Sequence, residues 1–427
     1  MAKAKSKKIT LEEALVPVEE QPYEVPENWC WVKLSYIADI RTGRKDANYG
    51  NEDGEYYFFT CASEPIRCDD YSYDCKAILL AGNGDIGNIS IYEGKFEAYQ
   101  RTYIVETKEN IITEYLYYYF KYRWVDYNND KMFGTAIPYI RLGNLNEFEI
   151  PVPPLSEQQR IVEQIESLFA KLDEAKEKAL SVVESFELRE KAIYKKAFEG
   201  DLTNSWRAEN GINISEWEEI PFEKLGKLER GRSKHRPRND KRLFGGKYPF
   251  IQTGDVAGAG MYVTSHKQTL SEFGFEQSRM FPKGTLCITI AANIGDAAIL
   301  SYDCCFPDSV VGFTPGEKCL NKYMYFYLQE IKAELEYIAP ATAQKNLNLK
   351  LLGKVEIKVP SLKEQEKIVE ILEKQINDQE NIVEKAENVI ETIDVMKKSI
   401  LAKAFRGELG TNIETEESAI ELLKSIF

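Results

Sequence analysis

Apolar residues recur at alternating spacings of four and three along two long stretches of the chain. In the first, Ile161, Ile165, Leu168, Leu172, Ala175, Ala179, Val182, Phe186, Arg189 and Ile193 mark one face. In the second, the same rhythm runs through Ile368, Leu372, Gln375, Gln379, Ile382, Ala386, Val389, Ile393, Met396 and Ile400. Such a rhythm, kept up over several heptads, predicts a helix with a coiled-coil seam. Ser156 with Gln159 and Ser361 with Glu364 have capping-box spacing, and Gly200 and Gly407 supply the stops. Each helix should therefore run unbroken for roughly 43 residues, about 65 Å at 1.5 Å per residue. The polar seam residues Arg189, Gln375 and Gln379 should fix register at some cost in stability. Paired within one chain, the two helices must be antiparallel.

The two stretches are copies of one another at a constant offset of 207 residues. VPPLSEQQRIVEQIE (Val152 to Glu166) returns as VPSLKEQEKIVEILE (Val359 to Glu373), and KKAFEGDL returns as AKAFRGEL. Of the 52 pairs from 151/358 to 202/409, 21 are identical, which marks an internal repeat. The flanking regions repeat more loosely, with Trp29 matching Trp217, Ile37 matching Leu225, Gly43 matching Gly231 and Arg44 matching Arg232. Runs such as EYYFFT, KAILLAG, TYIV, YPFIQT and GTLCITIA, bounded by Gly, Asn and Asp, read as strands. The expected architecture is α+β: two similar mixed α/β domains joined by two long antiparallel coiled-coil helices with pseudo-twofold symmetry. The expected divisions are an N-terminal extension (1–27), a first domain (28–154), a central helix (155–202), a second domain (203–360), a C-terminal helix (361–409) and a tail (410–427).

A chain of 427 residues with 43% hydrophobic and 12% aromatic residues can fill more than one core. It contains no run of eighteen apolar residues, and the lysine-rich start leads into ITLEEAL, so the reading is a soluble cytoplasmic protein. Eight cysteines lack the density of a secreted disulfide scaffold and read as reduced thiols. The net charge of −14 is unevenly spread. Glu12 to Glu27 contributes six acidic groups and no basic ones, whereas residues 203–360 carry 21 basic against 18 acidic groups. Most of the acid is thus expected outside the globular domains. Any nucleic-acid contact must come from local patches, because the global field is repulsive.

Catalytic signals are weak. GNGDIG (Gly82 to Gly87) has the form of a dinucleotide loop, but the strand-like NISIYEG follows where a phosphate-binding helix should start. A tight turn is the better reading. Cys61, Cys68 and Cys75 recur every seven residues without a CxxC or a nearby histidine, which fits ordinary thiols better than zinc. The chain has only two histidines, His235 and His266, which leaves little room for histidine-based catalysis. No catalytic residue and no metal ligand is assigned.

The strongest ligand signal is RGRSKHRPRNDKR, from which Arg230, Arg232, Lys234, His235, Arg236 and Arg238 are candidate DNA contacts. Basic side chains among small polar residues suit phosphate clamping and arginine readout of guanine edges. The counterpart RTGRKDANYG supplies Arg41, Arg44, Lys45, Asn48 and Tyr49. A second matching loop holds Gln100 and Arg101 in one copy and Ser309 in the other. Gln344, Lys345 and Asn346 replace Ile137, Pro138 and Tyr139 at a third, a divergence that fits two different recognised sequences. Beside the seam, Val162, Phe169 and Val183 are candidates for binding partner helices, with packing against the chain's own domains as the alternative.

With its VPPLSEQQRIV opening, its KAFxGxL close and the GTAIPYI and ATAQKNL domain ends, the chain resembles the specificity (S) subunits of Type I restriction-modification systems, from about Pro26 to Leu409. The resemblance implies two target recognition domains, each reading one half of a bipartite double-stranded DNA site, with helices that set the spacer. It implies two modification (M) subunits carrying S-adenosylmethionine and restriction (R) subunits using ATP, so that this chain holds no cofactor and has no catalytic role of its own. It supplies no base-reading residue to carry over. The alternatives are a recognition subunit of a Type IIB-like methyltransferase-linked system, a methyltransferase or nuclease using GNGDIG, and a coiled-coil scaffold whose globular ends bind proteins.

Overall fold

The computed structural model describes residues 10–339 and 347–426. They fold as two compact units: the described residues up to Leu180 together with those from Asn388 onward, and the stretch Ser181–Glu387.

In the first unit the main sheet has six strands among the described residues, in the order Ala38–Thr42, Thr102–Thr107, Tyr73–Ala81, Ile89–Ala98, Tyr56–Phe59, Ile66–Cys68. The neighbours are antiparallel except for Tyr56–Phe59 against Ile89–Ala98. Alternation assigns Ile78 and Leu80 to one face, with Val105, where Tyr115, Leu116, Tyr119 and Phe120 of the helix Thr113–Asn128 cover them. Leu79 and Ile104 point to the other face, where Phe59, Tyr73 and Phe96 form an aromatic cluster. Burial on both faces explains why AILLA is an uninterrupted apolar run.

The second unit repeats this plan. Its five-stranded sheet runs Gly226–Arg230, Val310–Pro315, Leu286–Thr289, Ala297–Leu300, Tyr262–Val263, with the same chain connectivity and again one parallel pairing, at the last strand. Each unit also has a two-stranded antiparallel clasp, Cys30–Lys33 with Glu149–Val152 and Glu218–Pro221 with Glu356–Val359. The units differ at the far edge. The first adds the strand Ile66–Cys68, while the second adds a separate four-stranded sheet built on Phe244–Phe250. The loose sequence repeat thus keeps a shared inner frame and diverges at the periphery.

The long helices depart from expectation in three places. The first is interrupted at Ser185, giving Leu155–Glu184 and Phe186–Phe198, whereas the second runs unbroken over 43 residues, Leu362–Ala404. Ser185 explains the break, because its hydroxyl donates to the Ser181 carbonyl at 2.6 Å, and back-bonding of this kind distorts a helix. The capping box at Ser156 does not form: Ser156 Oγ donates to Glu416, and the Gln159 amide to Glu163. At the second start Ser361 Oγ accepts from the Glu364 N–H at 3.3 Å, but the Glu364 carboxylate is used elsewhere. Both stops hold, with Gly200 at φ 87° and Gly407 at φ 73° in the left-handed region.

Between the helices, Asp173 pairs with Lys397 and Lys176 with Asp394 in the first unit. In the second, Arg189 donates to Gln379. The seam is shielded unevenly: Ile161, Ile165, Ile368, Leu372 and Ile393 are at 2% exposure or less, whereas Ala175 is exposed and Ile382, Val389 and Met396 are 44%, 44% and 46% exposed.

The acidic ends of the chain are not outside the globular body. Ala14 and Val16 are buried in the first unit's core, where the Val16 N–H donates to the Trp31 carbonyl at 2.9 Å. In the tail, Ala419 and Leu423 of the helix Ala419–Lys424 are fully buried in that core. Net charge gives no sign of the small and branched residues that anchor these segments. No described helix is long and apolar enough to cross a membrane.

Candidate nucleic-acid interface

The two units carry their arginine loops at the same point of the frame. Gly43 lies so close to the end of the strand Ile89–Ala98 that a Cβ would sit 2.1 Å from the Ala98 carbonyl oxygen, and at Gly231 it would sit 2.2 Å from that of Pro307. Only glycine permits this approach. The following residue then hydrogen-bonds in the same way in each unit, Arg44 N–H to the Ala98 carbonyl and Arg232 N–H to the Phe306 carbonyl, both at 3.1 Å.

In the first unit the backbone joins two candidate loops into one surface. The Gln100 N–H donates to the Lys45 carbonyl at 2.9 Å, and the Gln100 amide to Asp46 at 3.2 Å. Lys45 lies 4.1 Å from the Tyr49 ring centre and 4.0 Å from the fully buried Glu97 carboxylate, while the Tyr49 hydroxyl donates to Asp70. Arg44, Asn48 and Arg101 are exposed, and their side chains make no hydrogen bond or ion pair among the described residues. Arg41 is set apart, bonded to Glu106 on the neighbouring strand and lying 5.0 Å from the Tyr73 ring centre.

Tertiary structure adds residues that the sequence reading passed over. An open cleft of about 380 Å³ is lined by Gln100 and Arg101 together with Tyr103, Tyr139, Arg141 and Leu142. The Arg141 guanidinium lies 3.9 Å from the Phe133 ring centre and donates to the Tyr139 hydroxyl at 3.3 Å. Phe133 and Ile137 remain 37% and 61% exposed on the same loop. Arg141 was visible as the basic residue that follows GTAIPYI, but only folding shows that it faces Arg101. GNGDIG is a turn between the strands Tyr73–Ala81 and Ile89–Ala98, tied by Gly82 N–H to the Arg101 carbonyl, and no helix follows it.

In the second unit much of the basic loop is matched by acid. Arg230 donates to the Asp308 carbonyl, and Arg238 Nη2 to both Asp308 carboxylate oxygens at 2.7 and 2.9 Å. Asp240 accepts from Arg242 and from His235 Nε2, and the Arg242 guanidinium first, then His235, hold its carboxyl well below the usual range. Arg236 donates to the carbonyls of Ser233 and His235, whereas the exposed Lys234 side chain has no partner among the described residues. Arg232, Arg238 and Ser309 meet in a cleft of about 120 Å³ with Gln252 and Gln277, where the buried Arg232 Nε has no hydrogen-bond partner. Gln344, Lys345 and Asn346 lie outside the described residues.

Of the partner-binding candidates, Val162 is buried in its own unit's core and Phe169 packs against that core, 4.9 Å from Lys397 Nζ at its ring centre. That is the packing alternative which the sequence left open. Val183 is half-buried. The eight cysteines are free thiols, Cys68 buried, and Cys61 and Cys75 partly exposed.

Comparisons with known proteins fit this arrangement. The family model for the type I restriction modification DNA specificity domain matches twice, over residues 26–185 and 214–392. The type I restriction enzyme EcoDI specificity subunit of Escherichia coli is 29% identical over 442 residues, covering 94% of this chain and 95% of that one. A putative type I restriction enzyme MjaX specificity subunit of Methanocaldococcus jannaschii is 27% identical over 76% of this chain and 75% of its own. In fold, the chain is similar to the HsdS subunit from Thermoanaerobacter tengcongensis, with TM-score 0.62, 20% identity, and coverage of 92% of this chain and 100% of that one. A chain from a structure of type I R-M complex assembly gives TM-score 0.69 at 19% identity, over 91% and 100%. Because the family model accounts for most of its length in two copies, the chain belongs to the type I restriction modification DNA specificity family.

Proposed function

We propose that this chain is the non-catalytic DNA-recognition subunit of a type I restriction-modification complex, and that each unit reads one half of a bipartite double-stranded target. The observation that carries this reading is the placement of Arg44 and Arg232 at one equivalent position of a repeated sheet, each near a cleft that holds Arg and Gln side chains. Arginine and glutamine suit major-groove edges, and lysine and arginine suit phosphates. The first unit's readers are Arg44, Asn48, Gln100 and Arg101, joined by Arg141; the second unit's are Arg232, Lys234 and Ser309, since Arg238 is engaged by Asp308.

The two helical stretches form an antiparallel coiled coil that sets the spacer between half-sites, and Arg189 with Gln379 in the seam supports that pairing. Two M subunits dock on the helices, where Leu188 and Val395 are 73% and 67% exposed, and R subunits join that complex. S-adenosylmethionine and ATP act on those partners, and the assembly works in the cytoplasm.

Mapping methylated adenines in DNA from cells that express the chain with its modification subunit tests the reading. A split motif with a fixed unspecified gap is expected, and a contiguous motif would overturn it. Inserting one heptad into both helices should widen the gap, whereas an unchanged gap would remove the helices from spacing.

A further inference from the structure

The repeat makes it possible to ask what each unit has that its copy lacks, and the answer is a filled groove in one and an open groove in the other. The two can be aligned residue by residue through buried hydrogen bonds. Trp29 Nε1 donates to Glu157 at 2.7 Å, and Trp217 Nε1 to Glu364 at 3.0 Å. Gln158 accepts from the Ile112 N–H and donates to the carbonyls of Pro153 and Asn110. Gln365 accepts from the Leu320 N–H and donates to those of Pro360 and Lys318. Asn28 in the first unit thus corresponds to Glu216 in the second, and Asn110 to Lys318.

In the first unit the helix Ala419–Lys424 lies between those two points. The Ala419 N–H donates to the Asn28 carbonyl at 2.9 Å, the Asn110 amide donates to Ser425 at 3.0 Å, and Ala419 and Leu423 are fully buried. In the second unit Glu216 and Lys318 line an open groove of about 310 Å³. Ile212, Trp217, Val359, Pro360 and Leu362 supply its apolar surface, with Leu362 still 42% exposed. After Phe198 the second unit's chain turns through the short helix Asn204–Asn210 and returns directly to Trp217, so among the described residues no segment of its own fills the groove.

The rims differ in charge. The first unit's occupant is acidic and is held by Arg160, whose two terminal nitrogens donate to Glu416 at 2.8 and 2.7 Å. The open groove is instead edged by Glu216, Glu218 and Glu317 against a single Lys318, which already pairs with Glu218 at 2.9 Å. An acidic segment would be repelled there, and a basic one attracted.

We propose that this groove in the second unit docks a short, basic, amphipathic helix from another polypeptide, seated by a small residue and a leucine four positions apart, as Ala419 and Leu423 are seated in the first unit. This is helix-in-groove recognition, in which apolar anchors give affinity and the charged rim selects the partner.

The probe is a synthetic peptide of residues 411–426 carrying Glu414→Lys, Glu416→Lys, Glu417→Lys and Glu421→Lys, titrated calorimetrically into the full chain. It should bind one to one, at least tenfold more tightly than the unaltered acidic peptide and than a scrambled basic peptide of the same composition. Leu362→Asp should abolish binding, and combined Glu216→Gln, Glu218→Gln and Glu317→Gln should weaken it at least tenfold, with unchanged thermal melting showing that these surface variants fold. No binding by the basic peptide, equal binding by its scrambled form, or indifference to the groove variants would overturn the proposal. Equal binding by the acidic peptide would assign the groove to a second copy of the chain's own tail and overturn it as well.

Discussion

Arg189 Nε donates to Gln379 Oε1 at 2.6 Å although 190 positions separate them in the chain. Both occupy seam positions, so two residues that break the apolar rhythm are placed opposite one another. Arg189 also donates to the Val182 carbonyl at 2.9 Å, next to the interruption at Ser185. A polar pair inside an apolar seam is satisfied in one register only, which is how it specifies that register. Arg189→Ala should lower stability by about 1.5–3 kcal/mol, the range for a hydrogen bond involving a charged group. The double variant with leucine at both positions should recover most of that loss, as read from urea midpoints; a double variant as unstable as the sum of the singles would deny the coupling.

Glu364 is completely buried at the start of the second long helix and accepts from Thr203, Arg207 and Trp217. Arg207, itself 5% exposed, is its positive partner at 2.7 Å. Removing one member of a buried ion pair strands the other, so Arg207→Ala should cost about 3 kcal/mol. Arg207→Lys should cost less. Chemical denaturation of the two variants checks the order.

Arg44 and Arg41 are three positions apart but should behave differently on DNA. Arg44→Ala, in complex with the modification subunit, should weaken DNA binding and reduce the slope of log K against log salt by about 0.9 if one phosphate contact is lost. Arg41→Ala should leave both unchanged, because its guanidinium is engaged by Glu106. Equal effects of the two substitutions would show that exposure of the loop arginines is not what matters. Arg232→Ala and Lys234→Ala together should flatten the salt dependence further, and no change would remove that loop from the interface.

The tail should be released by acid. The hydrogen bonds from Arg160 hold the Glu416 carboxyl below its ordinary value. A carboxylate with a lowered folded-state pKa stabilises the fold above its unfolded value and loses that contribution as pH falls through the folded one. With side chains 31% and 21% exposed, the contribution is about 0.5–1 kcal/mol. Glu157 acts in the opposite sense, since burial raises its carboxyl and favours its protonated form. Glu416→Gln should therefore lower the protection of the Ala419 amide, relative to its intrinsic exchange rate, at pH 7 and abolish the further loss of protection expected of the parent chain below about pH 4.5.

Thiol chemistry should separate the cysteines. Burial pushes the thiols of Cys30, Cys304 and Cys319 up to about 12 and that of Cys305 to about 11, and the fully enclosed Cys287 is raised as well. At pH 8 an aromatic disulfide reagent should react fast with Cys61, slowly with Cys75, and with the others only after denaturation, since the thiolate is the reacting form. Cleavage mapping of the labelled chain would read this directly, and rapid labelling of Cys304 would contradict its burial.

Sequence alone determined the duplication, the long helical stretches and the strand runs, because these are periodic signals in which each residue reports its own face. The glycine stops at Gly200 and Gly407 and the match of Arg44 with Arg232 were legible for the same local reason. Tertiary structure decided what depends on partners distant in the chain. It opened the first capping box in favour of Ser156 bonding to Glu416, drew the acidic ends into the first core through Ala14, Ala419 and Leu423, and buried Val162. It also divided the basic residues into those neutralised by Asp308, Asp240 or Glu106 and those left to meet a ligand, such as Arg44 and Lys234. A side chain's type fixes its charge, but whether that charge is available is set by which carboxylates the fold brings within reach.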